Sequence, residues 1–254
     1  MHWLLVATLL VGAESGKEKT PDPVSAYYQQ SIRGWDLYIH KSLLREDKET
    51  GNAVLELVDF QLYDIQRRLP EQAVAALQKI PIWIESDNTR ANPCACYHVS
   101  GDWLSENGFL REKEKGVEIT SAKTFLEWTK EQPFMLLHEL SHGYHDLVLG
   151  YDDARVIEAF QRAKKSGRYK EVLHIDGTKK KHYAIEDEKE YFGELTEAFF
   201  GTNDFYPFVV SELKQHDPEG YRLIEMLWNE SSKKESSKQS NAAGKDAGEK
   251  NSAE

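Results

Sequence analysis

The segment from Pro133 to Leu149 constrains the fold of this 254-residue chain more than any other. A proline suits the first turn of a helix, where its missing N–H costs nothing, and Gly150 suits the place just past the end. The runs Phe134-Met135-Leu136-Leu137 and Leu147-Val148-Leu149 are apolar and make this a core helix. Its middle nevertheless reads His138-Glu139-Leu140-Ser141-His142. Ionisable groups inside a core are costly unless they are paired or in use, so the pattern points to a site rather than to a chance match on a surface helix.

Two histidines four apart on a helix differ by about 40° in azimuth and about one turn in height. Both imidazoles can therefore grip one ion from the same face. This is the H-E-x-x-H arrangement of zinc sites, with Glu139 as the base that takes a proton from water and passes it to a leaving amine. Zinc in such a site acidifies water and polarises a scissile carbonyl through three protein ligands and one open position. The third ligand must come from elsewhere. A histidine six residues after His142, with a glycine three after it, is one solution, but Val148 and His145 stand in those places. His145 reads as a core residue or a support for the ligands. Asp204, in Gly201-Thr202-Asn203-Asp204-Phe205-Tyr206, and the glutamates between Glu186 and Phe200 remain as candidates.

Around this helix the pattern is α+β, a small mixed sheet followed by a helix-rich half. Trp35 to His40 alternates as a strand. Asn52 is placed to cap a helix carrying Val54, Leu55, Leu57, Val58, Leu62 and Ile65, broken by Pro70 and resumed from Glu71 to Gln78. Ile80 to Ile84 reads as a strand that Pro81 confines to an edge or to its own start. Tyr97 to Val99 and Val117 to Ile119 are short strand candidates. Asp152 opens a helix ending near Gly167. Tyr169 to Ile175 and Lys180 to Ile185 make a hairpin about Asp176-Gly177. Glu186 to Phe200 is helical, and further helical stretches follow Pro207 and Pro218.

The ends differ in character from this body. Trp3 to Ala13 is apolar, too short to span a bilayer, and closes on Val11-Gly12-Ala13, a small-residue cleavage site. Residues 1–13 are therefore expected to be a signal peptide, although the first residues offer only Met1 and His2 and no Lys or Arg; a buried N-terminal strand or helix is the other reading. The chain is then secreted or periplasmic. From Asn229 to Glu254 no apolar residue exceeds alanine, and five lysines offset five acidic residues, which predicts a disordered polar tail. The formal charge of −11 thus sits on the body and disfavours nucleic acid and anionic membranes as partners. No later segment approaches a membrane span, so no stable membrane insertion is expected. Cys94 and Cys96 form no disulfide framework; they read as two structural thiols, or as a strained bridge in an oxidising compartment. No G-x-S-x-G elbow or phosphate-binding glycine loop supports another hydrolase class.

Glu190-Tyr191-Phe192-Gly193-Glu194, 48 residues after His142, resembles the glutamate helix of gluzincin metallopeptidases, in particular the catalytic domain of the anthrax lethal factor-like peptidases. The stretch from about Ala91 to Trp228, with Glu197-Ala198-Phe199-Phe200 leading into Gly201 to Phe208, is also similar to a group of bacterial secreted zinc metallopeptidases. The metal motif alone is shared by many families; motif, tyrosine and glutamate helix together are far more specific. The resemblance implies a zincin-like domain over residues 25–228 and one Zn²⁺ per chain, held by His138, His142 and Glu190. Glu194 is then the residue that holds a zinc histidine by its free ring nitrogen, or itself the ligand. Tyr183, seven residues before Glu190, is aimed at the oxyanion. Tyr97-His98-Val99 becomes, by analogy, an edge strand on which a peptide docks.

Each of these residues has a plainer reading. Glu190, Glu194 and Glu197 can line a solvated acidic face, although Tyr191, Phe192, Leu195 and Phe199 make the helix a packed one; Tyr183 can be a strand tyrosine packing its ring. The expected function is a secreted, monomeric zinc metalloendopeptidase acting on peptides or proteins with Glu139 as general base. The alternative is a zinc-binding interaction module of the same fold without turnover, against which an intact Glu139 argues, since holding zinc does not require it.

Overall fold

The computed structural model of the chain describes residues 20–88 and 94–230. The expected signal segment and the polar tail beyond Glu230 lie outside these residues. The architecture is α+β. Strands β1 (Tyr27–Ile32) and β2 (Trp35–His40) form a hairpin that the sequence reading missed in its first half. Its two-residue turn holds Arg33 at φ 51° and Gly34 at φ 90°, the left-handed pair that suits the twist of a tight hairpin. Three helices follow, α1 (Lys41–Arg45), α2 (Lys48–Arg68) and α3 (Glu71–Leu77). Asp47, not Asn52, caps α2, accepting from Thr50 N at 3.3 Å. The helix starts earlier than expected, and Asn52 lies inside it.

Strand β3 (Ile82–Ile84) begins one residue after Pro81 and sits inside the sheet, so the proline marks a start and not an edge. Next come β4 (Ala95–Tyr97), α4 (Gly101–Glu106), β5 (Val117–Ile119) and α5 (Ala122–Trp128). The sheet order is β1-β2-β3-β5-β4. β2, β3 and β5 run parallel, while β1 and β4 are antiparallel to their neighbours at the two edges. By alternation Leu37, Ile39, Ile82, Ile84, Val117 and Ile119 share one face, and all are fully buried in the main core. The opposite face carries Tyr38 stacked on Trp83 and, next along, the buried carboxylate of Glu118.

Helix α6 (Met135–Tyr144) packs on β4, β5, α2 and α3 and then on the later half of the chain. It continues into a π-helical turn, His145–Leu149, of the kind that often accompanies functional sites. After α7 (Ala154–Ser166), which Asp153 caps and Gly167 closes at φ 74°, the expected long hairpin shrinks to β6 (Val172–Leu173) and β7 (Lys179–Lys180). Tyr183–Ile185 forms a 3-10 turn instead of a strand end. Helix α8 (Glu188–Phe200) lies across α6, and α9 (Val210–His216) and α10 (218–230) complete the body. Asn229 and Glu230 belong to α10, where Glu230 pairs with Arg155 at 2.7 Å, so the helical body runs two residues beyond the expected boundary at 229. Among the described residues no helix is long and apolar enough to cross a membrane.

Candidate metal centre

Helix α6 is buried nearly all round, with Leu136, Leu137, Leu140 and Tyr144 in the core, and this packing fixes where its polar residues point. His138 and His142 turn toward α8 with ring centroids 4.7 Å apart. Helix α8 starts at Asp187, whose carboxylate accepts from the backbone N–H groups of Lys189 and Glu190 at 2.8 and 3.0 Å. That cap sets Glu190 in the first turn, where the helix dipole favours its charge. Glu190 Oε2 then lies 3.1 Å from His138 Nε2 and 3.6 Å from His142 Nε2. A tetrahedral zinc with N and O ligands at about 2.1 Å has edges of about 3.4 Å. Two imidazole nitrogens and a carboxylate oxygen at these spacings fit such an ion.

The other candidates are placed elsewhere. Glu194 Oε1 stands 3.9 Å from His138 Nδ1, and its Oε2 accepts from Asn203 Nδ2 at 2.8 Å. Burial, and then the neighbouring Glu197, push the Glu194 carboxyl well above the usual carboxylate range, toward a neutral acid. It falls in no ion-holding group with His142 among the described residues, and at 3.9 Å it does not hold the His138 ring by a hydrogen bond. That place belongs to Glu197, whose Oε1 lies 2.7 Å from His138 Nδ1 and accepts from Gln132 Nε2 at 2.9 Å. A proton on His138 Nδ1, donated to Glu197, leaves Nε2 free for a metal. Asp204 pairs with His174 at 3.4 Å and, among the described residues, joins no group able to hold an ion together with the two histidines. His145 is a core residue: its ring is fully buried between Tyr151 and Phe192, at 5.0 and 5.1 Å.

Sequence reasoning also missed Gly193. A Cβ there would stand 2.8 Å from His138 Cε1 and 3.0 Å from its Nε2, so glycine is what lets α8 approach the imidazole. Glu197 had a legible signal: Glu190, Glu194 and Glu197 recur at i, i+4 and i+7, one face of a helix. Spacing alone does not say which of the two buried acids meets the ring.

The three converging groups open into a cleft of about 460 Å³ lined also by Glu139, Tyr183, Trp128, Met135, Lys181 and Asp204. Glu139 is half-buried on α6, and Tyr183 is 45% exposed at the rim. Burial, then the charge of Glu190, push the Tyr183 phenol up to about 12, so it stays a proton donor at neutral pH. Cys94 and Cys96 are free thiols on this side of the molecule, Cys94 Sγ lying 2.8 Å from Met135 Sδ. β4 forms the sheet edge beside the cleft, two residues earlier in the chain than expected. It is tied down by Tyr97, whose hydroxyl donates to Asp146 at 2.8 Å in the π turn. No protein-family model matches the chain, and neither a curated protein nor a solved structure matches it.

Proposed function

We propose that this chain is a secreted zinc metallopeptidase with a zincin-like domain, of the gluzincin type and akin to the lethal factor-like peptidases. The observation that carries the reading is the approach of Glu190 Oε2 to His138 Nε2 and His142 Nε2, from a helix 48 residues downstream. His138, His142 and Glu190 would hold the ion, which when bound supplies Lewis acidity for peptide hydrolysis. Glu139, on the same helix and lining the same cleft, takes the proton of the attacking water and delivers it to the departing amine. Tyr183 donates to the developing oxyanion. The edge of β4, unpaired among the described residues, offers backbone groups to an extended substrate.

The test is Glu139→Gln in the full chain. Zinc content should be unchanged, and cleavage of a quenched peptide library should fall at least ~100-fold, the usual contribution of a positioned base. Near-zero cleavage by wild type and variant alike would favour a zinc-binding module without turnover.

A further inference from the structure

A second group of ligand atoms leaves β4 and β5 on the sheet face opposite α6, its thiol at the edge strand also lining the cleft, and its register makes it a site. Cys96 on β4 and Glu118 on β5 are direct cross-strand partners, so their side chains leave the same face. His98 follows Cys96 by two residues, and the pairing continues through it, with its N–H donating to Gly116 O at 3.0 Å. It therefore returns to that face as well. One nitrogen, His98 Nε2, meets both neighbours: Glu118 Oε2 at 2.5 Å and Cys96 Sγ at 3.7 Å. The three donor atoms fall within 4.8 Å of one another.

The surroundings call for a cation. Glu118 is fully buried and His98 is 6% exposed. Glu118 Oε1 is committed, accepting from Lys113 Nζ at 2.6 Å and Asn88 Nδ2 at 2.7 Å, which leaves Oε2 directed at His98. Lys113 also contacts Glu85, and Tyr27 donates to Glu85 at 2.5 Å. Two buried carboxylates thus share one ammonium. A buried group one positive charge short is costly, and either a proton on His98 or a metal ion would repair it. The thiol distinguishes them. A protonated His98 needs only Glu118, whereas tetrahedral zinc with sulfur at about 2.3 Å and nitrogen at about 2.1 Å sets those atoms about 3.6 Å apart. The observed 3.7 Å between Cys96 Sγ and His98 Nε2 matches that edge.

We infer that Cys96, His98 and Glu118 form a second metal site, for a thiolate-accepting divalent cation of the zinc type, that clamps the edge strand β4 to β5. Binding converts the thiol to a thiolate with release of its proton, and opens the His98–Glu118 hydrogen bond by roughly 1 Å to admit the ion. The remaining position is available to water or a small donor. The site shares no ligand with His138, His142 and Glu190, although Cys96 also lines their cleft, so it is tested apart from the proposed activity by removing those histidines.

The experiment is a Co²⁺ titration of the full chain stripped with chelator. A thiolate-to-cobalt charge-transfer band should rise in the near ultraviolet in wild type. It should persist in Cys94→Ser and in the His138→Ala/His142→Ala double variant, and vanish in Cys96→Ser together with one equivalent of bound metal. Because the band is read first in the unmodified protein, a variant that folds poorly does not blur the answer. A wild-type titration that saturates without this band overturns the inference, and so does a band that survives in Cys96→Ser. Alkylation supplies a second readout: Zn²⁺ should protect Cys96 from a maleimide, and equal labelling with and without Zn²⁺ counts against the site.

Discussion

Glu197 Oε1 lies 2.7 Å from His138 Nδ1 while Glu194, one turn nearer Glu190 on the same helix, keeps its closest oxygen 3.9 Å from that nitrogen. The two carboxylates therefore have different consequences when changed. Supporting groups behind a metal-bound imidazole typically contribute 10–100-fold to metal affinity. Glu197→Gln is expected to weaken zinc binding by about that factor, because it replaces the carboxylate that meets His138 Nδ1 at 2.7 Å and fixes the ring. Glu194→Gln should change affinity little, since its closest oxygen stands 3.9 Å from that nitrogen and its other oxygen is held by Asn203. Competition against a fluorescent zinc chelator measures both. The reverse order of effects would return the supporting place to Glu194.

Gly193 gives an independent check on how closely α8 approaches α6. A helix-interior glycine replaced by alanine ordinarily gains about 1 kcal/mol of helix stability. Here the added methyl would meet three atoms of the His138 ring within 3.1 Å. Since Glu197 holds that ring from its other side, the ring cannot simply yield. Gly193→Ala is expected to lower zinc affinity about tenfold or more while leaving far-ultraviolet circular dichroism intact. Unchanged affinity would mean that the helices have slack at this contact.

What the sequence made legible follows from periodicity. The buried helix around His138, the helix carrying Glu190 and the strand Trp35–His40 all announce themselves by apolar spacing. Strand β1 does not, because Tyr28, Gln29 and Ser31 leave it mostly exposed at an edge, with little alternation to read. His138 and His142 were within reach because they lie four apart on one helix, whereas the choice of Glu190 among the acids of α8 came only from the resemblance of that helix to the gluzincin glutamate helix. The choice of Glu197 over Glu194 depends on the crossing of α6 and α8 and on Asn203 engaging Glu194, both tertiary facts. The Cys96–His98–Glu118 group was hidden for a related reason: twenty residues separate His98 from Glu118, and only strand pairing joins them.

Two buried histidines make stability depend on pH in a stated direction. Burial, then the nearby His142, lower His145 from 6.5 to about 4; burial, then His216, lower His182 to about 3. Both are neutral in the folded chain at pH 5, whereas the unfolded chain takes up protons there. Their contribution is complete above about pH 6.5 and is lost as pH falls through about 4 and about 3. Urea midpoints of the metal-stripped protein should decline across that window. Neither His145 ring nitrogen has a hydrogen-bond partner among the described residues, so His145→Phe removes little at neutral pH and should flatten part of the slope. Parallel profiles for wild type and variant would sink this account.

Tyr183 decides whether the cleft works as the lethal factor-like resemblance implies. It sits in the 3-10 turn Tyr183–Ile185, which delivers the chain from the small β6–β7 hairpin to the cap of α8, and it shares the cleft with Glu139 and Glu190. Its phenol, raised to about 12, remains protonated throughout the neutral range, so it can donate wherever a carbonyl oxygen gains charge. A bond that strengthens only as that charge develops lowers the barrier without tightening substrate binding. Tyr183→Phe should therefore retain zinc and fold, leave KM nearly unchanged, and reduce kcat by roughly 10²–10³, the cost of losing one oxyanion donor. Phenylalanine keeps the ring at the rim, so loss of packing cannot account for a fall of that size. If kcat stays near the wild-type value while Glu139→Gln is inactive, the zinc enzyme survives and Tyr183 is only part of the cleft wall.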